Sequence, residues 1–266
     1  MTRLAHDRYC AEIADQVRQL EAVLASGADL SATVPTCPDW TLEELVRHIV
    51  RGLRWTETVV RTRAQEEVPW DQVPGREGPA GTGDAAALRE WLAQTGAAIE
   101  GTLREAGPDA RVWAWTGEPT AGFWARRMTH ELVVHGADAA LAAGLPLPAV
   151  PAEVAADAVD ELLEIVRFVQ RAIPDGPGKD LRAPGRTIHL HATDTPAELN
   201  AEWLIEAAED GVVWRRGHEK AAVALRGPVL SVLLAFYGRL PLDAPELQVL
   251  GDRGLLDFWR EKAAFG

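Results

Sequence analysis

Apolar residues recur with a helical period between residues 6 and 25, at Ile13, Val17, Leu20, Val23 and Leu24, which predicts a first helix. Residues 33–40, TVPTCPDW, read as a turn. Thr41 and Glu44 then form the Ser/Thr-x-x-Glu pattern of a capping box, so a second helix starts there and runs to about residue 61. Residues 68–83 lack apolar periodicity and contain Pro69, Pro74 and Pro79. A long loop is predicted there, mobile and bordering the functional cleft. Asp84 is placed to cap a third helix reaching about residue 106. Residues 110–122 are irregular and rich in tryptophan, and a fourth helix is predicted over 123–143, stopped by Gly144, Pro146 and Pro148. Four such helices make a bundle, and bundles build their sites from side chains on facing helices.

After the proline-rich linker LPLPAVP (145–151) the pattern changes. A helix is predicted over 153–172. Residues 186–193 alternate as a strand, with Ile188, Leu190 and Ala192 on one face. The segments around Asp210 and Gly211 read as a hairpin, and 222–226 as a strand halted by Gly227 and Pro228. A helix over 229–237, a short strand at 246–250 and a helix over 255–264 complete the chain. The expected fold has two domains: an all-α four-helix bundle over residues 1–148, then an α+β domain with a small mixed sheet over 149–266.

Composition narrows the possible functions. Of 266 residues, 47% are hydrophobic and 25% charged, as in a globular protein. No apolar run approaches the ~20 residues of a membrane span. Acidic residues interrupt the N-terminal segment where a secretory signal has its apolar centre, and cytoplasmic localisation is expected. A net charge of −13 argues against nucleic-acid and membrane partners, which need clustered lysine and arginine. Only Cys10 and Cys37 are present, too few for a disulfide framework or a cysteine-rich metal site. The basic residues are nearly all arginine, the lysines being Lys179, Lys220 and Lys262.

The sharpest chemical signal is THELVVH, residues 129–135. Glu131 and His135, four residues apart, lie about 40° apart around a helix and can grip one ion. His130 points elsewhere, and the spacing is not that of the zincin His-Glu-x-x-His motif. A third ligand must come from another helix. His48, beside the apolar stripe of the second helix, is the candidate. Two histidines and one glutamate leave a fourth position open, as catalytic zinc sites do. A plain surface ion pair at i, i+4 remains the alternative on spacing alone.

These segments resemble a known family. VPTCPDWTLEELVRH (34–48) and RRMTHELVVH (126–135) are similar to the two metal motifs of the mycothiol-dependent maleylpyruvate isomerase family, whose N-terminal domain is a DinB-like bundle. HLHATD (189–194), the LRGP turn (225–228), YGR (237–239) and GD (251–252) resemble that family's sterol-carrier-like C-terminal domain. The resemblance implies a divalent metal, usually zinc, on His48, Glu131 and His135. It also implies mycothiol as a thiol cosubstrate, a small electrophilic substrate, and an isomerase or S-transferase activity. A non-catalytic metal- or ligand-binding module of the same fold is the competing expectation. The resemblance further suggests an arginine of the second domain as partner for a substrate carboxylate, with Arg239 chosen first and Arg226 second. His189 and His191 are expected to be solvated strand residues, and Cys37 a structural thiol. Most of Trp40, Trp55, Trp113, Trp115 and Trp124 are expected in the core, and Asp138 either orients a ligand or faces water.

Overall fold

The computed structural model describes residues 3–173, 175–176 and 178–263. The chain divides into two compact units, Met1–Ala149 and Val150–Gly266.

The first unit is built on α1 (His6–Ala25), α2 (Leu42–Arg61), α3 (Ala85–Ala106) and α4 (Ala121–Ala142). Helices α1 and α2 each pack against both α3 and α4. Both halves of the capping box at the start of α2 are formed: Glu44 N donates to Thr41 Oγ1 at 3.2 Å, and Thr41 N to Glu44 Oε2 at 2.8 Å. One stripe of α2, Leu42, Leu45, Val46, Ile49, Val50 and Leu53, is buried, which anchors the helix by removing its apolar face from water. Helices α1 and α3 approach closely at Gly96, where a Cβ would lie 2.7 Å from a Val17 methyl. Residues 33–40 are more than a turn. They form most of an antiparallel pair, β1 (Thr33–Val34) with β2 (Cys37–Thr41), irregular between Thr33 and Val34. Pairing this short carries no periodicity that a sequence pattern can register.

The 68–83 segment is irregular apart from a 3-10 turn at Trp70–Gln72, as its composition predicts. It is nevertheless tied down by side chains of α2 and α3. Trp55 Nε1 donates to Val68 O (2.8 Å) and Trp91 Nε1 to Gly75 O (3.2 Å). Arg47 reaches the carbonyls of Pro79 (3.2 Å) and Gly81 (2.7 Å), and its Nε donates to Glu43 (2.8 Å). Glu43 in turn accepts from Gly83 N at 2.7 Å. Indole and charged side chains from α2 and α3 thus hold a segment that has no apolar periodicity of its own. Arg47→Ala is expected to release the segment, raising its rate of limited proteolysis roughly tenfold, the scale of one lost charge-assisted hydrogen bond. An unchanged cleavage rate would show that the other anchors suffice.

The second unit comprises α5 (Ala152–Ala172), β3 (Thr187–Ala192), β4 (Glu202–Ala208), β5 (Gly211–Arg216), β6 (Val223–Gly227), α6 (Val229–Phe236), β7 (Gln248–Gly251) and α7 (Arg253–Lys262). Its sheet has the order β5-β4-β3-β6-β7. The β3–β6 pair is parallel and the others antiparallel, so the sheet is mixed. Helix α5 is joined to the sheet by a buried polar knot. Trp203 Nε1 donates to Asp160 at 2.7 Å, Arg216 pairs with the other carboxylate oxygen at 2.5 Å, and the Arg216 guanidinium lies 4.1 Å from the Trp203 ring centroid. The last helix begins two residues earlier than the sequence suggests; its expected end at Ala264 lies outside the described residues. Among the described residues no helix is long and apolar enough to cross a membrane.

Candidate metal centre

His48 and its partners converge as the sequence predicts. Nε2 of His48 and Nε2 of His135 each lie 3.3 Å from the same Glu131 oxygen, and the two imidazole centroids are 5.3 Å apart. The three ligand atoms lie within 4.8 Å of one another. Helix α4 sets Glu131 and His135 one turn apart on one face, and α2 contributes His48 from across the bundle. His48 is less enclosed than the sequence suggests. Its side chain is 44% exposed, at the rim of the buried α2 stripe, with Trp40 packed 4.7 Å away centroid to centroid.

The surroundings orient the ligands. His135 Nδ1 lies 2.9 Å from the buried carboxylate of Asp138, whose other oxygen accepts from Thr36 Oγ1 at 2.6 Å. Asp138 is thus buried and fixes the His135 ring rather than facing water. Holding Nδ1 leaves Nε2 to face Glu131, the arrangement common behind metal-ligating histidines. Arg127 donates to the outer oxygen of Glu131 at 2.7 Å, leaving the inner one to face both imidazoles. Burial alone would raise the Glu131 carboxyl and lower the His135 imidazole. The hydrogen bonds win in both cases. His135, His48 and Arg127 hold Glu131 well below the usual carboxylate range, and Asp138 and Glu131 push His135 up to about 9. Two imidazole nitrogens and one carboxylate oxygen, converging and oriented, form a donor set that fits a divalent transition metal with an open position.

A cavity of about 780 Å³ opens beside this centre. Its walls include Trp40, Trp55, Trp70 and Trp124, together with Arg51 and Arg76. The tryptophans therefore divide: Trp55 and Trp124 are buried and still reach the cavity wall, while Trp70, half-exposed, comes from the 68–83 segment. Arg51 and Arg76 escaped sequence reasoning because isolated arginines in an arginine-rich chain carry no pattern. Neither cysteine is an evident nucleophile. Burial pushes the Cys10 thiol up to about 11, and Cys37 is half-buried in β2.

Arg239 belongs to the second unit, just after α6. Gly238 takes φ +80°, and Arg239 N donates to Leu234 O at 2.7 Å, which closes the helix end. Arg226 is an exposed residue of β6. His189 and His191 depart from expectation: His189 is buried, and both lie against Glu202, with His218 alongside.

A helical bundle with a His-Glu-His centre under an arginine- and tryptophan-lined cavity, followed by an α+β unit with a mixed sheet, defines a class of two-domain proteins with a candidate metal centre. Two family profiles place the chain within that class: the mycothiol maleylpyruvate isomerase N-terminal domain matches residues 10–140, and the C-terminal domain of the same family matches residues 153–258. The chain belongs to the mycothiol-dependent maleylpyruvate isomerase family and is an enzyme of it. Its fold is similar to the crystal structure of the mycothiol-dependent maleylpyruvate isomerase, with a TM-score of 0.59 at 17% identity over 94% of this chain and 95% of that one. A histidine-to-alanine mutant of that enzyme is similar to the same degree, with a TM-score of 0.59 at 18% identity and the same coverage. No curated protein matches the chain significantly.

Proposed function

We propose that this enzyme activates mycothiol at a zinc ion, or another divalent metal, held by His48, Glu131 and His135, for attack on a small electrophile. The convergence of these three ligand atoms beside the cavity carries the reading. A metal bound there supplies a Lewis-acid position that favours the thiolate over the thiol, the reactive form of sulfur. The protein residues do the rest. Asp138 and Thr36 keep His135 in the orientation that presents Nε2. Arg127 offsets the charge of Glu131 at its outer oxygen. The indole walls of the cavity suit the faces of a sugar-bearing thiol, and Arg51 and Arg76 provide donors for anionic or hydroxylated groups. Arg239 is proposed as the cation for a carboxylate of the electrophile. For a substrate like maleylpyruvate, thiolate addition to the activated double bond, rotation and elimination give the trans isomer. The same activated sulfur also serves S-transfer.

The test is spectroscopic. In the cobalt-loaded protein, added thiol is expected to produce a sulfur-to-cobalt charge-transfer band that saturates with one equivalent, and His135→Ala is expected to abolish it. A cobalt spectrum unmoved by thiol would favour the competing reading of a non-catalytic metal-binding module.

A further inference from the structure

A second group of ligand-type side chains lies in the other unit, apart from the centre described above. On β3, His189 and His191 are two residues apart and share one face of the strand. The β3–β4 register sets His191 opposite Glu202. Gly217 N bonds to Glu202 O at 3.0 Å just past the end of β5, which brings the next residue, His218, to the same place. The three imidazole centroids form a nearly equilateral triangle with sides of 5.6, 5.2 and 5.6 Å. All three rings turn a nitrogen toward one atom. His189 Nε2, His191 Nδ1 and His218 Nδ1 lie 2.9, 3.2 and 2.6 Å from Glu202 Oε2.

Hydrogen bonding alone is a poor account of this geometry. A carboxylate oxygen has two lone pairs, so three N–H donors on one atom leave one poorly placed. His189, moreover, is 5% exposed, so little water is available to relieve it. A cation among the four groups meets all four at once. We propose that His189, His191, Glu202 and His218 form a second metal site that takes Zn²⁺.

The donor set selects the metal. Three imidazole nitrogens and one carboxylate oxygen suit zinc and its borderline relatives, whereas calcium and magnesium prefer shells of oxygen. Four donors within 4.8 Å of one another need only small side-chain adjustments to reach the separations of about 3.3 Å that a tetrahedral zinc requires. Four protein ligands fill the tetrahedron, so the site is structural: it fastens β3, β4 and the chain after β5 and leaves no position for substrate. Sequence reasoning assigned His189 and His191 to solvent because their partners, Glu202 and His218, are 13 and 29 residues beyond His189, at spacings no short metal motif shares.

Counting metal in the full chain tests the proposal. After chelation and reloading with zinc, the His135→Ala protein, whose bundle centre is disabled, is expected to keep one equivalent. Adding His218→Ala should remove it. His218 is 71% exposed, so this variant keeps its fold, as circular dichroism of the metal-free protein will verify. Zinc should also raise the melting temperature of His135→Ala, and that rise should vanish in His135→Ala/His218→Ala and in His135→Ala/Glu202→Gln. A His135→Ala protein that binds no zinc, or whose zinc and melting temperature survive both second substitutions, overturns the proposal.

Discussion

His135→Ala is expected to remove one equivalent of metal from the purified enzyme and to lower turnover by at least roughly 10³-fold, with the fold retained. In the proposed site the side chain supplies one of three protein donors, and its other nitrogen is held by Asp138 at 2.9 Å. Two remaining donors on separate helices cannot replace a tight tridentate grip, and a metal lost from the site takes with it the stabilisation of thiolate sulfur. A graded series sharpens the result. Asp138→Asn keeps the ligand but loosens its orientation, and is expected to weaken metal affinity about 10–100-fold. The metal-free protein adds a pH signature. With His135 raised to about 9, metal must displace a proton at neutral pH, so apparent affinity should rise about tenfold per pH unit up to that value. Glu131, held well below the usual range, adds no proton there. Elemental analysis and calorimetry in buffers of different ionisation enthalpy read these effects. Full metal occupancy in His135→Ala would reject the assignment.

Arg239→Ala is expected to retain its metal and its fold while losing turnover by roughly 10²-fold, the scale of ~3 kcal/mol of transition-state stabilisation. A substrate carboxylate brought to an activated thiolate places two anions together, which is costly in a partly dry site unless a cation compensates. Guanidinium matches a carboxylate with two parallel hydrogen bonds, so Arg239→Lys should recover only part of the rate. The bundle has cations of its own in Arg51 and Arg76 on the cavity wall, and a parallel Arg51→Ala variant separates the contributions. If Arg239 meets the reacting carboxylate, its loss should act mainly on kcat, and loss of Arg51 mainly on KM. Near-normal turnover in Arg239→Ala would move the catalytic assignment to the cavity arginines or to a substrate without a carboxylate.

The long elements were legible because burial imposes a period. The α2 stripe and the alternation of β3 both follow from one face meeting the core, and Thr41 with Glu44 marked a helix start to the residue. The bundle centre was partly legible, since Glu131 and His135 share a turn. His48 was readable from its place beside the α2 stripe, but the support around the centre was not. Thr36 reaches Asp138 across 102 residues, and such partners are chosen by packing, not by spacing. The 68–83 segment shows the same limit: nothing local marks it as held, because its anchors lie on α2 and α3.

The parallel pairing of β3 with β6 has a consequence for how the chain is made. Strands β3, β4 and β5 are consecutive and antiparallel, so they can zip together as soon as they leave the ribosome. Until β6 is synthesised, β3 keeps one open edge, with Ile188 and Leu190 in a segment destined for burial. An open apolar edge is a template for another chain. Nascent or truncated chains ending near residue 220 should therefore aggregate through β3, whereas chains extending past β7 should not.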